Sequence, residues 1–303
     1  MSVITDWTDG KRAAFGRENL AFRHALHERP LFTDEGLASA LDRYPREQLG
    51  VFTMGDDPVA WRTWRRGAAH GLSGAELLQA VKSGRIWFNL RNADKHLPEY
   101  GALTDEVFAD KAANAGVRAL RRDLGLLISS PGVQVFYHLD TPLVSLWQVR
   151  GRKRVWVYPP RAPFVTDDRL EAIVLRESAE QFAYDPAWDA HADVFDLEPG
   201  VMATWKQNAP HRIENGDMLN VSLSFEFMTP RALTRANVIY ANGVLRRRLG
   251  WSPRLQDGLS PAAVAKVGAA RAFKALKLQK AHEHALPVTF RLDPQAPGAV
   301  ATV

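Results

Sequence analysis

Residues 133–160 read VQVFYHLDTPLVSLWQVRGRKRVWVYPP. Within them, the runs at 133–138, 143–149 and 154–158 are short and rich in β-branched and aromatic residues, and proline or glycine separates them. Runs of this composition between turn residues are typical of antiparallel strands. We therefore expect a β core at the centre of the chain, arranged as a barrel or jelly roll.

A further strand pattern lies at residues 219–227, where apolar residues at odd-numbered positions alternate with polar residues. Because successive side chains of a strand point to opposite faces, this period of two predicts a strand with one apolar face. Shorter strand patterns at 85–90 and 201–205 extend the predicted β core.

Helical patterns lie on both sides of this core. Apolar residues at three- and four-residue spacings predict helices within 18–44 and 104–124. Ser73 and Glu76 have the Ser-x-x-Glu spacing of a helix capping box. The helical pattern returns after Thr229. We therefore expect three regions, namely an N-terminal helical region at 1–84, the β core at 85–229 and a basic C-terminal helical region at 230–303.

Candidate metal ligands lie in the β core. The sequence contains no cysteine, so a metal site must use histidine and carboxylate ligands. His138 and Asp140 are two residues apart, which places them on one face of an extended strand, and His211 follows 71 residues after Asp140. Two histidines and one carboxylate suit an iron(II) site with open coordination positions. Taken alone, the triplet also fits a strand end before a turn at Thr141–Pro142.

The surroundings of this triplet resemble the JmjC-type, cupin-like family of iron(II)- and 2-oxoglutarate-dependent oxygenases. In that family a His-x-Asp strand runs into a Gln-hydrophobic-x-Gly-x-Lys-Arg hairpin that ends in two prolines, as residues 148–160 do here. The segment 209–215, which contains His211, is similar to the distal histidine segment of the family. The resemblance spans roughly residues 87–227.

The resemblance implies a mainly β fold with α additions, in which residues 85–229 form a double-stranded β-helix, the jelly-roll core of cupins. It further implies that His138, Asp140 and His211 bind Fe(II) and that Lys153 binds the distal carboxylate of the cosubstrate 2-oxoglutarate. A lysine offers that carboxylate a positive charge and three donors. Ser224 aligns with a polar position of the late strand that contacts the cosubstrate in relatives.

Two positions depart from the family pattern. Val135 stands where relatives carry Ser or Thr, and Val144 stands where they carry Asn, so two hydrogen bonds to 2-oxoglutarate are missing. Tyr137 and Trp147 are candidates to replace those contacts. The resemblance implies a dioxygenase that hydroxylates a protein or peptide side chain. The alternatives are a small-molecule hydroxylase and a non-catalytic metal-binding cupin that serves as an interaction or regulatory module.

The chain has 39 Lys and Arg residues against 34 Asp and Glu residues, a net charge of +5. Residues 229–284 contain 11 basic residues, among them Arg246, Arg247 and Arg248, against two acidic ones, so the rest of the chain is net negative. This region fits solvated helix faces better than a nucleic-acid site, which stays an alternative. The resemblance implies a homodimer through the C-terminal helices. Apolar runs fall short of the roughly 20 residues of a membrane span, and we expect a cytoplasmic protein.

Overall fold

The computed structural model describes residues 2–256, 258, 260–279 and 286–302. The strands are β1 Leu20–Arg23, β2 Gly50–Thr53, β3 Arg65–Ala68, β4 Trp87–Leu90, β5 Arg121–Ser129, β6 Gln134–His138, β7 Leu143–Arg150, β8 Lys153–Val157, β9 Asp193–Leu197, β10 Val201–Thr204, β11 His211–Asn215, β12 Asn220–Met228, β13 Val288–Leu292 and β14 Val300–Thr302. The α-helices are α1 Asp9–Ala14, α2 Asp34–Arg43, α3 Gly74–Ser83, α4 Ala93–His96, α5 Pro98–Ala115, α6 Asp167–Val174, α7 Pro230–Leu249 and α8 Pro261–Ala275. Short 3-10 helices span Leu26–Glu28, Pro30–Phe32, Arg46–Gln48, Trp61–Thr63, Pro186–His191 and Pro297–Ala299.

Strands β5 to β12 pair antiparallel and are divided between two sheets. The larger sheet contains the order β10-β7-β12-β5, and the smaller sheet has the order β6-β11-β8-β9. Consecutive strands cross from one sheet to the other, except β8 and β9, which pair with each other. This is the arrangement of a jelly roll, so the expected double-stranded β-helix is confirmed. The two sheets do not close into a barrel.

The larger sheet extends beyond the jelly roll at both edges. Strand β1 pairs with β10 at one edge, and β4, β2, β3, β13 and β14 follow β5 at the other. Residues before position 85 therefore contribute strands as well as helices. The helix pattern at 18–44 forms an α-helix only from Asp34, because residues 20–23 pair with β10 instead.

Helices cover the outer face of the larger sheet. The apolar positions of β12, such as Leu223 and Phe225, are buried there with Leu103 and Val107 of α5. The opposite face of the sheet, which carries Ser224, therefore faces the smaller sheet. A second buried apolar cluster lies between the two sheets, and it includes Val144, Val155 and Ile213.

Local signals account for several helix boundaries. Helix α3 begins at the predicted capping box, in which Ser73 and Glu76 each bond to the backbone of the other. The helix predicted within 104–124 ends earlier, because Gly116 adopts a left-handed conformation with φ of 61° after α5. Residues 121–124 belong to β5 instead. Among the described residues, no helix combines the length and the apolar character needed to cross a membrane.

Candidate metal centre

Three predicted ligands come together at one end of the smaller sheet. His138 is the last residue of β6, Asp140 lies in the turn that follows, and His211 is the first residue of β11. The two histidines are direct cross-strand partners. One ligand atom from each of the three side chains lies within 4.8 Å of the others, and Nε2 of His211 is 3.4 Å from Oδ2 of Asp140. The structure therefore shows a His–Asp–His cluster that could hold a metal ion.

Backbone carbonyl groups fix the orientation of both imidazole rings. The Nδ1 atom of His138 lies 2.7 Å from the carbonyl oxygen of Phe136, and Nδ1 of His211 lies 3.1 Å from that of Ala209. A ring that donates from Nδ1 carries its lone pair on Nε2, the atom that binds a metal. Burial, followed by the charge of His138, lowers the pKa of His211 to about 3. The imidazole of His211 therefore stays neutral, as metal binding requires.

The carboxylate ligand is positioned through its own backbone. Asn208, which has a left-handed φ of 64°, donates from Nδ2 to the carbonyl oxygen of Asp140 at 3.0 Å. Arg235 in turn donates to Oδ1 of Asn208 at 3.1 Å. The indole ring of Trp205 lies 4.5 Å from the imidazole of His211. Asn208 is a site residue that the sequence analysis missed, because nothing in a lone Asn indicates which distant turn it binds.

Lys153 lies on the face of β8 that points between the sheets. Its neighbours in the alternation, Val155 and Val157, are buried between the sheets, whereas Arg154 is exposed and bonds to Asp196. The side chain of Lys153 is only 6% exposed, and among the described residues it has no hydrogen-bond or ion-pair partner. Burial lowers the pKa of its ammonium group to about 7. A buried ammonium without a partner favours an anionic ligand beside it.

The larger sheet contributes polar groups to the same interior. Ser224 lies on the inner face of β12, opposite Gly125 of β5. The inner position of β4 is Asn89, whose Oδ1 atom is buried and has no hydrogen-bond partner among the described residues. A Cβ added to Gly125 would lie 3.4 Å from this oxygen and 3.8 Å from Cβ of Ser224. These groups leave polar atoms inside the jelly roll that a bound ligand would satisfy.

Aliphatic side chains occupy much of the remaining interior. Val144 is 3% exposed and belongs to the buried cluster between the sheets, and the partly buried Val135 packs against that cluster. The two valines that depart from the family pattern therefore form part of an apolar wall. On β12, burial raises the pKa of Glu226, and the negative charge of Asp140 raises it further.

Tyr137 and Trp147 lie away from the cluster. Tyr137 packs among aromatic residues that include Tyr158 and Phe164, and its hydroxyl donates to the carbonyl oxygen of Phe164 at 2.9 Å. Trp147 is buried on the helix-covered face of the larger sheet, where its Nε1 donates to Ser145 at 3.0 Å. Both lie on faces that point away from the space between the sheets, so neither carries a part of the proposed site.

The comparisons with known proteins give a match at the level of the fold. No protein-family model matches the chain, and no curated protein matches it. A solved structure of YcfD from Escherichia coli is 18% identical with a TM-score of 0.52, over 89% of this chain and 67% of that one. Another, of YcfD as a ribosomal oxygenase in complex with cobalt and 2-oxoglutarate, is 17% identical with a TM-score of 0.50, over 92% and 70%.

Proposed function

We propose that this protein is an Fe(II)- and 2-oxoglutarate-dependent oxygenase that hydroxylates a protein or peptide side chain. The His–Asp–His cluster carries the proposal, because its three ligand atoms converge and both rings are oriented with Nε2 free. Two nitrogen ligands and one oxygen ligand suit iron(II) and leave coordination positions for a cosubstrate. A protein with a similar fold binds cobalt and 2-oxoglutarate and is a ribosomal oxygenase, which supports both the cofactors and a protein substrate.

Each residue of the site has a separate part in this proposal. His138, Asp140 and His211 hold the metal, and Asn208 holds the turn that carries Asp140. Lys153 binds the distal carboxylate of 2-oxoglutarate, since its buried ammonium has no other described partner. When bound, iron(II) and 2-oxoglutarate would supply the chemistry that activates O₂ and inserts one of its oxygen atoms into a C–H bond of the substrate. The apolar wall beside Val144 limits the access of water to that reaction.

The test is turnover of 2-oxoglutarate to succinate by the iron(II)-loaded protein in the presence of O₂. A cell extract separated into a macromolecular and a small-molecule fraction serves as the source of substrate. We expect succinate formation to rise with the macromolecular fraction, and the Asp140→Ala variant provides the matched control. Stimulation by the small-molecule fraction alone would instead establish the small-molecule hydroxylase.

A second candidate is a metal-binding protein without catalysis. The apolar positions Val135 and Val144 favour it, because they remove hydrogen bonds that relatives of the resembled family make to the cosubstrate. Metal binding together with an absence of succinate under every substrate fraction would establish this candidate and exclude the oxygenase.

A further inference from the structure

A groove of about 820 Å³ lies beside the turn that carries Asp140. Its wall includes Gln207, which donates from Nε2 to the carbonyl oxygen of Thr141 at 2.9 Å. The other walls come from residues 16–17 and 160–162, the start of α6, residues at both ends of α7, and residues 252–255 and 258 that follow α7. The groove is therefore outside the His–Asp–His cluster, and the Gln207 hydrogen bond connects it to the turn that carries Asp140.

The groove is lined by an excess of positive charge. Of the described residues that line it, seven are basic and two, Asp167 and Asp168, are acidic. Five of the basic side chains are exposed and have no ion pair or side-chain hydrogen bond among the described residues. They are Arg17, Arg161, Lys206, Arg231 and Arg254. We name these five residues the basic groove.

The basic groove differs from the arginines at the end of α7. Arg246 bonds to Glu171, and Arg247 bonds to Glu171 and Glu177. The charges of Arg246 and Arg247 are therefore paired within the protein, whereas Arg248 is exposed and donates to the carbonyl oxygen of Leu278. The unpaired charges of the basic groove come from five separate parts of the chain, and only the fold brings them together.

An exposed aromatic residue directly precedes the groove in the chain. Trp251 is 62% exposed, and the following residue, Ser252, lines the groove. Guanidinium groups bind phosphate with two parallel hydrogen bonds, and an exposed indole offers a stacking surface for a base. An acidic peptide would satisfy the charges but has no base to stack on the indole ring.

We propose that the basic groove binds the phosphate backbone of a single-stranded nucleic acid, with Trp251 stacking against a base. Because Gln207 links the groove to Thr141, a bound strand lies beside the metal centre. The proposal does not depend on catalysis by that centre. Binding and turnover are therefore measured separately.

The test uses the full-length protein and a fluorescein-labelled 15-nucleotide oligouridine RNA, followed by fluorescence anisotropy at several salt concentrations. We expect the Arg161→Gln/Arg231→Gln variant to bind at least about tenfold more weakly, because each replacement removes a charge-assisted hydrogen bond. We expect the magnitude of the slope of log affinity against log salt concentration to decrease by about 1.4, since two phosphate contacts are lost and each contributes about 0.7 for a single strand.

The matched control is the Arg62→Gln/Arg291→Gln variant. It makes the same change of charge at two exposed arginines, one in the 3-10 helix before β3 and one on β13, and we expect unchanged affinity. The Trp251→Ala variant is expected to weaken binding and leave the salt slope unchanged. A DNA oligonucleotide of matching length is expected to bind comparably, because the contacts are with phosphate.

Three results would overturn the proposal. The first is an absence of RNA binding at low salt, and the second is an equal loss of affinity in the groove variant and its control. The third is competition by an oligoglutamate peptide at or below the concentration at which unlabelled RNA competes, which would assign the groove to an acidic protein.

Discussion

The imidazole rings of His138 and His211 lie with their centroids 4.1 Å apart, because the two residues are opposite each other on β6 and β11. Each ring is also tied through Nδ1 to a carbonyl group two residues earlier in the chain. The register of the strand pair and these two hydrogen bonds therefore set the geometry of the site before any metal binds. Metal binding then requires little ordering of side chains.

Replacing a ligand should abolish metal binding and leave the fold intact. We expect His138→Ala and Asp140→Ala to lower the affinity for Mn²⁺ or Co²⁺ by more than about a hundredfold, since loss of an outer contact alone costs 10- to 100-fold. Both residues are only partly buried, so the circular dichroism spectrum should not change. The exposed His70→Ala variant serves as the control. Unchanged metal affinity in either ligand variant would refute the assignment.

The second prediction separates cosubstrate binding from metal binding. We expect Lys153→Met to raise the KM for 2-oxoglutarate at least about tenfold, because one charge-assisted hydrogen bond is lost, without a change in metal affinity. Lys111→Met is the matched control, since Lys111 is equally buried but lies under the helices, where it bonds to Ser145 at 2.7 Å. An equal change of KM in both variants would show that the effect of Lys153 is structural.

The third prediction concerns the dependence of stability on pH. Burial lowers the pKa of Lys111 from 10.5 to about 7, so between those values the unfolded chain binds a proton that the native chain does not. The contribution of this residue to stability therefore rises with pH from about 7 to about 10, by up to about 1.4 kcal/mol per unit. Below pH 7 the full free-energy cost of burying the charged ammonium of Lys111 is present. We expect Lys111→Met to raise the free energy of unfolding at pH 7 and to flatten this slope in urea denaturation.

An effect of the opposite sign would contradict this prediction. If Lys111→Met lowers stability at pH 7, the ring contacts of the ammonium with Phe108 and Phe227, both at 4.8 Å, outweigh the cost of burying it. Arg291→Gln, a change of charge at an exposed site, should leave the slope unchanged and serves as the control.

The fourth prediction tests the positioning of Asp140. Glycine accepts the left-handed conformation of residue 208, so Asn208→Gly removes the amide without backbone strain. We expect a 10- to 100-fold loss of metal affinity, about the effect of removing an outer contact. Asn208→Asp keeps an oxygen near Arg235 but loses the donor to Asp140, and it should show a similar loss. Wild-type metal affinity in both variants would show that the turn carrying Asp140 keeps its conformation without the Asn208 hydrogen bond.

The fifth prediction concerns the arginines at the end of α7. The side chain of Glu171 is only 3% exposed and accepts hydrogen bonds from Arg246. We expect Arg246→Gln to lower the free energy of unfolding by about 1–3 kcal/mol, because it leaves a buried carboxylate less well paired. Arg231→Gln, at an unpaired and exposed position, should change it by less than about 0.5 kcal/mol. Equal changes in the free energy of unfolding of the two variants would show that the Arg246–Glu171 ion pair contributes nothing to stability.

The core strands and the metal ligands could be predicted from the sequence because both depend on local patterns. The strand runs at 133–138, 143–149 and 154–158 became β6, β7 and β8. The His-x-Asp spacing on a strand, together with the resemblance, identified three side chains that the fold brings together. The side-chain period of two explains why Lys153 and Ser224 lie on the inner faces of their strands in the structure.

Long-range pairing could not be predicted in the same way. Residues 20–23 lie within a helical pattern, but they pair with β10, which begins nearly two hundred residues later. The aromatic character of Tyr137 and Trp147 suggested ligand contacts, and only the register of β6 and β7 shows which faces they occupy. Asn208 and the basic groove depend on contacts between distant segments. The homodimer through the C-terminal helices stays a prediction.

One segment, the loop from Trp205 to Pro210 together with His211 at the start of β11, combines four tasks. It supplies the Trp205 ring beside His211, the Gln207 wall of the basic groove, the Asn208 hydrogen bond to Asp140, and the ligand His211 itself. An insertion or deletion in this loop would alter all four at once. Divergence toward a new partner is therefore expected to proceed through the other walls of the groove, on α6 and α7, where substitutions leave the metal ligands in place.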